Sequence, residues 1–290
     1  MIRIDSKRCI RCGRCVEDCN TGVFQLEGEM PVVAHENRCN FCSHCLAVCP
    51  RAAVVHDGLG GVQPPRVQRK WLQAAAYREI VKSRRSVRRY KPDPVPRQVV
   101  EQLIDLARFS PTASNAQNVH FTVVSRRALL EQVSRRLFTF GDRVYRMYTQ
   151  TPLQRLSRLA RKSQVVKTLD QYTENWLTYR ELVDKGRDLL FHQAPVLLLL
   201  HAPKGQGLSR DNCLIAATNI DNYAHALGLG ACYIGLLVTA MQMDRSLNRT
   251  FGIPPAHRVY AALTLGTPAF AHPFHPVRKG PAVQWLSDPG

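Results

Sequence analysis

The chain has 290 residues, enough for two domains of ordinary size. It is 45% hydrophobic and 21% charged, which excludes disordered and collagen-like architectures. Forty Lys and Arg against 22 Asp and Glu give a net charge of +18, so nucleic acid, a membrane surface and phosphate groups all enter as candidate partners. Ten cysteines would suit a disulfide scaffold only in a much shorter secreted chain, and Met1 to Ser6 carries no basic-then-apolar leader. The most apolar long stretch, Tyr223 to Met241, is broken by His225, Gly228, Gly230 and Gly235. It reads as the end of a helix and the start of a strand rather than a bilayer span. The expectation is a cytoplasmic protein with no integral membrane segment.

The charge is unevenly placed. Residues 1–60 hold seven basic residues (Arg3, Lys7, Arg8, Arg11, Arg14, Arg38, Arg51) and seven acidic ones (Asp5, Glu17, Asp18, Glu27, Glu29, Glu36, Asp57), so the remainder carries the whole +18. Eight of the ten cysteines lie in this neutral segment. Gly58-Leu59-Gly60-Gly61 and Pro64-Pro65 then mark a boundary, which predicts a first domain over 1–57, a linker over 58–77 and a second domain over 78–290.

The first domain is an internal repeat. Cys9, Cys12, Cys15 and Cys19 recur thirty residues later as Cys39, Cys42, Cys45 and Cys49, both runs spaced C-x2-C-x2-C-x3-C. Three closely spaced thiolates hold one corner-linked set of irons in a cubane, and the fourth cysteine of such a run reaches the other cluster. The spacing therefore predicts one [4Fe-4S] cluster on Cys9, Cys12, Cys15 and Cys49, and a second on Cys39, Cys42, Cys45 and Cys19. Structural zinc uses paired C-x2-C half-sites, and a cytoplasmic setting disfavours disulfides, so both alternatives fit worse. The segment up to residue 57 resembles a dicluster ferredoxin module. It departs in having Asn20 where the second run has Pro50, which is not a ligand position. Cys213 and Cys232, in apolar surroundings, read as buried free thiols.

From Arg66 to Lys91 there are ten basic residues and one acid, Glu79. Arg84, Arg85, Arg88 and Arg89 around Ser86 suit a phosphomonoester, a nucleic acid or a solvated face equally. Further on, an amphipathic helix over Val99 to Phe109 and a polar loop over Ser110 to Asn118 precede a strand at Phe121 to Val124. Strand runs follow at Pro195 to Leu200, Ala231 to Leu237 and Ala261 to Gly266, with a long helix over Asp211 to Leu227. Helices alternating with short strands indicate an α/β or α+β domain.

Five pieces in this order resemble the nitroreductase family of FMN enzymes: Arg84-Arg85-Ser86-Val87-Arg88, Pro111-Thr112-Ala113-Ser114-Asn115-Ala116-Gln117, Ala194-Pro195-Val196, Gly228 to Gly235, and Leu265-Gly266-Thr267-Pro268. The resemblance implies an α+β domain with a mostly antiparallel central sheet flanked by helices, and a homodimer with FMN at the subunit interface. It implies that Arg84, Arg85, Ser86 and Arg88 hold the FMN phosphate and ribityl chain, with Arg278 completing the phosphate site. It places Pro111, Thr112, Ala113, Asn115 and Gln117 against the flavin from the other subunit, and Tyr233, Ile234 and Gly235 near its ring. The chain departs from many members in reading Gln117-Asn118-Val119 after the asparagine loop. It also has a basic helical insertion around 138–190, in which Arg143 to Leu169 holds seven basic residues and no acid. Within it, Leu153, Leu156, Leu159, Val166 and Leu169 line up as one apolar face beside Arg155, Arg158, Arg161 and Lys162. A lid, a partner-docking helix, a membrane-surface helix and a helix packed on its own domain are the alternatives.

The expected activity is reduction of a small electrophile (a nitroaromatic, quinone or activated alkene) by FMN, with electrons relayed through the clusters. The donor is a ferredoxin-like protein or an associated dehydrogenase, and NAD(P)H using the flavin pocket directly is retained because no Gly-x-Gly-x-x-Gly fingerprint is needed for that. Two clusters at about −2 each turn the neutral domain negative and absorb part of the basic excess, which disfavours nucleic acid as a partner. No catalytic residue is singled out; Tyr233, His120 and water are the candidate proton donors. An electron-transfer subunit serving a protein partner is the alternative.

Overall fold

The computed structural model describes residues 1–150 and 164–286. The chain divides into two compact units, Met1–Ala74 together with Thr112–Gln117, and Ala75–Pro111 together with Asn118–Gly290.

The repeat in the first unit is also a repeat of backbone. Strand β1 (Ile2–Ile4) pairs antiparallel with β4 (Val54–His56), and β2 (Phe24–Glu27) pairs antiparallel with β3 (Met30–Val33). Short helices α1 (Arg14–Glu17) and α2 (His44–Val48) carry the third cysteine of each run, Cys15 and Cys45. Left-handed φ angles recur thirty residues apart: 55° at Arg11 and 58° at Phe41, 69° at Gly13 and 62° at Ser43, 67° at Gly22 and 51° at Ala52. Such angles cost on the order of 1 kcal/mol or more at non-glycine positions, and here they recur in step with the two cysteine runs. The apolar core is small, built on Ile2, Val23, Phe24, Leu46 and Val54, with five of the cysteines packed against it.

The second unit is built on a four-stranded antiparallel sheet in the order β5-β6-β8-β7, comprising β5 (His120–Val124), β6 (Val196–Pro203), β7 (Gly230–Tyr233) and β8 (His257–Gly266). Central strand β6 reads as an unbroken apolar run because both its faces are covered. Val196, Leu198, Leu200 and Ala202 join one core, and Leu197 and Leu199 the other. Each fully buried leucine contributes about 1.5–3 kcal/mol of transfer free energy. Pairing along β6 and β8 passes from Leu200–Ala261 to His201–Val259, so Tyr260 is a bulge residue.

Helices cover the first face. In α7 (Ser209–Ala226) the buried Cys213, Ala216, Ala217, Ile220 and Ala224 recur at helical spacing, and their small side chains let the helix sit close to the sheet. Helix α4 (Arg97–Ala107) packs beside it through Val100, Leu103 and Ala107. The apolar run from Ala231 to Leu237 is a strand only as far as Tyr233. Helix α8 (Gly235–Met243) begins two residues later, so Leu237 and Met241 are helical core residues of the second face. The basic insertion is occupied by α5 (Arg127–Gln150) and α6 (Gln164–Asp184), tied together where Trp176 Nε1 and Arg180 Nη1 donate to the Asp142 carboxylate at 3.0 and 2.6 Å. The expected apolar face at Leu153, Leu156 and Leu159, with Arg155, Arg158, Arg161 and Lys162, and the side chains of Val166 and Leu169, lie outside the described residues. Among the described residues no helix is long and apolar enough to cross a membrane.

Candidate redox centres

In the first unit the cysteines line two separate small cavities. Cys9, Cys12, Cys15 and Cys49 line one, and Cys19, Cys39, Cys42 and Cys45 line the other, so the fourth cysteine of each run sits with the first three of its counterpart. All eight are free thiols. Backbone amides already point at sulfur: Val23 N donates to Cys19 Sγ at 3.3 Å, Ala53 N to Cys49 Sγ at 3.1 Å, and Phe41 N to Cys39 Sγ at 3.3 Å. Burial pushes the Cys45 thiol up to about 11, with Cys39, Cys42 and Cys19 adding repulsion. Burial likewise raises Cys15, beside Cys49, Cys9 and Cys12. At Cys19 burial is outweighed by hydrogen bonds from Val23, Thr21 and Gly22, which together hold the thiol below its usual range. Four thiols crowded together resist ionisation until a cation offsets their mutual repulsion, and amides aimed at the sulfurs stabilise them once they are thiolates. The donor set fits two four-iron clusters.

In the second unit four of the five sequence motifs meet at one end of the sheet. Ser86 forms a parallel bridge with Ala231, and Val87 N donates to the Ala231 carbonyl at 2.9 Å. This brings the arginine motif against the strand that ends at Tyr233. The approach requires glycine at 230, where a Cβ would lie 2.4 Å from Val87 Cγ2. Tyr90 bridges to Pro268, and a Cβ at Gly266 would lie 2.7 Å from Pro195 Cδ, which adds the Ala194-Pro195 and Leu265 to Pro268 pieces. Arg85, Ser86, Arg88 and Arg89 are exposed, and among the described residues no carboxylate forms an ion pair with these arginines. Guanidinium charge is therefore free there for a phosphate, and this end of the sheet fits the phosphate arm of a flavin mononucleotide.

Arg84 differs from its neighbours. Its Nη1 donates to Asp221 Oδ2 at 2.9 Å, and Asp221 is 4% exposed on α7. Burial raises the Asp221 carboxyl and the Arg84 charge opposes that rise. Asp221 Oδ1 is buried with no hydrogen-bond partner. Next to it, Ser83 Oγ donates to the Glu79 carbonyl at 2.7 Å and receives His225 Nε2–H at 2.7 Å. Asp221 and His225 were not singled out from sequence, although Cys213, Ala217 and Asp221 at four-residue intervals put a carboxylate on the buried stripe. A buried carboxylate calls for a cation from elsewhere in the fold.

The remaining predicted positions fall as follows. Tyr233 is partly exposed, its hydroxyl 3.2 Å from Thr218 Oγ1; Ile234 is buried and Gly235 opens α8. Burial raises the Tyr233 phenol. Arg278 is exposed in the carboxy-terminal segment, which is anchored three residues earlier by His275 Nε2 at 2.7 Å from Glu79 Oε1. Pro111 belongs to the second unit, whereas Thr112, Ala113, Asn115 and Gln117 belong to the first, where Asn115 Nδ2 donates to the Asn40 carbonyl at 3.0 Å. Left-handed φ angles at Ser114, Asn115 and Gln117 (51°, 54° and 45°) mark this loop as strained. Cys213 and Cys232 are buried, and burial pushes the Cys213 thiol up to about 12.

His120 stands apart from the arginine motif, at the strand ends of β5, β6 and β8 with His201 and His257. His201 Nδ1 lies 2.8 Å from His257 Nδ1, and His201 Nε2 lies 3.1 Å from Thr122 Oγ1. Burial first, then the facing His257 and His120, hold the His201 imidazole down at about 4. A histidine whose folded value lies below the unfolded ~6.5 stabilises the native state fully above that value. The contribution is lost as pH falls from about 6.5 towards 4, and allowing for partial solvent access it is worth on the order of 2 kcal/mol. The urea midpoint of the second unit is expected to fall between about pH 7.5 and pH 5. His201→Gln should flatten that dependence; an unchanged slope in the variant would show that other groups govern it.

Comparison with known proteins agrees with this layout. The family profile described as "Nitroreductase family" matches residues 81–267, and that described as "4Fe-4S dicluster domain" matches residues 8–54. A putative NADH dehydrogenase/NAD(P)H nitroreductase of Methanothermobacter thermautotrophicus is 25% identical over 73% of this chain and 82% of its own length. A ferredoxin of Methanothermococcus thermolithotrophicus is 40% identical over 18% of this chain and 92% of its own. Among solved structures, a Bacteroides fragilis nitroreductase with bound FMN superposes with a TM-score of 0.54 at 22% identity, over 73% of this chain and 98% of that one, which shows a shared fold. A profile match across most of the chain, on a fold built as an antiparallel sheet between helices, decides the assignment: the chain belongs to the nitroreductase family and carries a 4Fe-4S dicluster domain ahead of the family's own domain.

Proposed function

We propose that this protein is an iron-sulfur flavoprotein that reduces a small electrophile, such as a nitroaromatic, quinone or activated alkene, with electrons relayed through two [4Fe-4S] clusters to FMN. The observation that carries the reading is the pair of cysteine-lined cavities in a chain whose other unit is a nitroreductase-family domain. Residues 1–57 hold the clusters, Cys9, Cys12, Cys15 and Cys49 binding one and Cys39, Cys42, Cys45 and Cys19 the other. Residues 78–290 carry the flavin domain, and 58–77 join the two. Arg85, Ser86 and Arg88 bind the FMN phosphate and ribityl chain, with Arg84 held in place by Asp221 and Arg278 adding charge from the carboxy-terminal segment. Pro111, Thr112, Ala113, Asn115 and Gln117 contact the flavin across a homodimer, and Tyr233, Ile234 and Gly235 lie near its ring.

A bound flavin supplies the exchange between one-electron and two-electron chemistry. The chain's own residues orient it and exclude water. An apolar cavity of about 1210 Å³, lined by Phe140, Val144, Trp176, Leu236, Ala240 and Met243, borders the helix that opens at Gly235 and supports an apolar substrate. A ferredoxin-like protein or a dehydrogenase supplies the electrons, and NAD(P)H is the competing donor.

The test is an anaerobic reductive titration after assay of iron, sulfide and flavin. About eight iron and one FMN per chain are expected, with reduced clusters passing electrons to the flavin. Iron without flavin would remove the arginine-motif assignment, and zinc in place of iron would remove the cluster assignment.

A further inference from the structure

The thirty-residue repeat gives each position of the first unit a counterpart, so the two cysteine quartets serve as controls for one another. Some contacts obey the repeat: Val23 N on Cys19 Sγ matches Ala53 N on Cys49 Sγ. Other contacts break it, Phe41 N on Cys39 Sγ among them, and one of these comes from a buried side chain. His56 Nε2 lies 3.3 Å from Cys39 Sγ. The counterpart of His56 thirty residues earlier is Leu26, which is 52% exposed and has no polar group to offer. The other side-chain contact to sulfur, Thr21 Oγ1 at 3.6 Å from Cys19 Sγ, falls on the same quartet. Among the described residues no side chain makes such a contact with Cys9, Cys12, Cys15 or Cys49.

His56 is fixed in this orientation. It is 4% exposed, its ring centroid lies 5.4 Å from that of Phe41, and a Cβ at Gly58 would lie 3.1 Å from His56 Cε1 and 2.7 Å from Phe41 Cε1. His56 Nδ1 is buried with no hydrogen-bond partner. An iron-bound thiolate only accepts, so the proton sits on Nε2 and Nδ1 keeps a lone pair with no partner. Burying an unsatisfied nitrogen is unfavourable where leucine would be tolerated, so what the position supplies is the donor aimed at Cys39.

We propose that His56 is a positioning residue that sets the potential of one cluster. Its Nε2–H stabilises the extra negative charge that the cluster on Cys39, Cys42, Cys45 and Cys19 acquires on reduction, so this cluster accepts an electron more readily than the one on Cys9, Cys12, Cys15 and Cys49. One electron arrives and no covalent bond is made or broken. The favoured cluster is also the one beside Asn40, whose carbonyl receives Asn115 of the Thr112–Gln117 loop in the same unit. Electrons collected by the module therefore settle at its Asn40 end. The inference rests on the ligand sets of the proposed function.

The experiment is an EPR-monitored redox titration of the full-length holoprotein, wild type against His56→Leu, His56→Gln and Leu26→Ala, with iron assayed on each sample. His56→Leu is expected to make reduction of one cluster about tenfold less favourable, equal to ~59 mV for one electron, while the other cluster stays put. His56→Gln, which keeps an N–H, should restore part of the shift, and Leu26→Ala should move neither potential. Full iron with both potentials unchanged in His56→Leu, or with both moved equally, would overturn the proposal. Wild-type protein with iron for a single cluster would instead overturn the ligand sets beneath it.

Discussion

Replacing Cys49 with alanine is expected to remove about half the iron and most of the thermal stability of the first unit. Five buried apolar side chains are a small core for a unit of this size, and below roughly 70–80 residues such a core rarely supplies more than about 3–5 kcal/mol. Metal binding then becomes folding energy. The crossed arrangement of the cavities gives the experiment a sharper form. Cys49 lines the cavity of Cys9, Cys12 and Cys15, not that of its own run. The pair Cys49→Ala with Cys9→Ala therefore strikes one quartet and should leave about four iron per chain, whereas Cys49→Ala with Cys39→Ala strikes both and should leave almost none. If each run instead served its own cluster, the two double variants would exchange outcomes. A chelator should likewise melt the first unit and spare the second, whose two cores contain no cysteine of the repeat.

Arg84→Ala is expected to cost about 3–5 kcal/mol, the range found when one partner of a buried ion pair is removed. Asp221 is nearly inaccessible and one of its oxygens already lacks a partner, so losing the guanidinium leaves a carboxylate with no compensation. Asp221→Ala should cost less, because the Arg84 side chain is 28% exposed and can turn to water. The double variant should be no worse than Arg84→Ala alone, since the stranded charge is gone. Urea midpoints of the three variants decide this, and additive losses would show that the pair is not coupled. Flavin content is a second readout. A variant that retains its fold but loses flavin would place Arg84 at the phosphate as well as at Asp221.

The cysteine octet was legible because cluster ligation imposes a spacing that survives without any knowledge of the fold. The strands of the second unit were legible for a similar local reason: a buried central strand such as Val196–Pro203 has to be apolar on both faces. Short apolar runs are ambiguous: Ala231–Leu237 has the pattern of one strand, although Gly235 starts a helix. What the sequence did not reveal depends on partners far along the chain. Arg84 reads as a free phosphate-binding arginine until Asp221, on another helix, comes within 2.9 Å. The loop from Thr112 to Gln117 has no local sign of belonging with the first unit, because its contact at Asn40 lies 75 positions away. His56 looks like an ordinary strand residue until the repeat is superposed on itself.

The pairing of Ile2–Ile4 with Val54–His56 bears on how the protein is made. The opening strand has no partner until the fourth strand has left the ribosome, and the unit gains its last segment only with Gln117. At roughly 5–20 residues per second, several seconds of translation separate the first cysteine from the strand that closes both cysteine-lined cavities. During that interval the nascent chain carries Cys9, Cys12 and Cys15 without Cys49, the fourth thiol of their quartet. Iron that met the chain in that interval would find an incomplete ligand set, so the long reach of the strand pairing sets a lower bound on when a four-thiol site can exist.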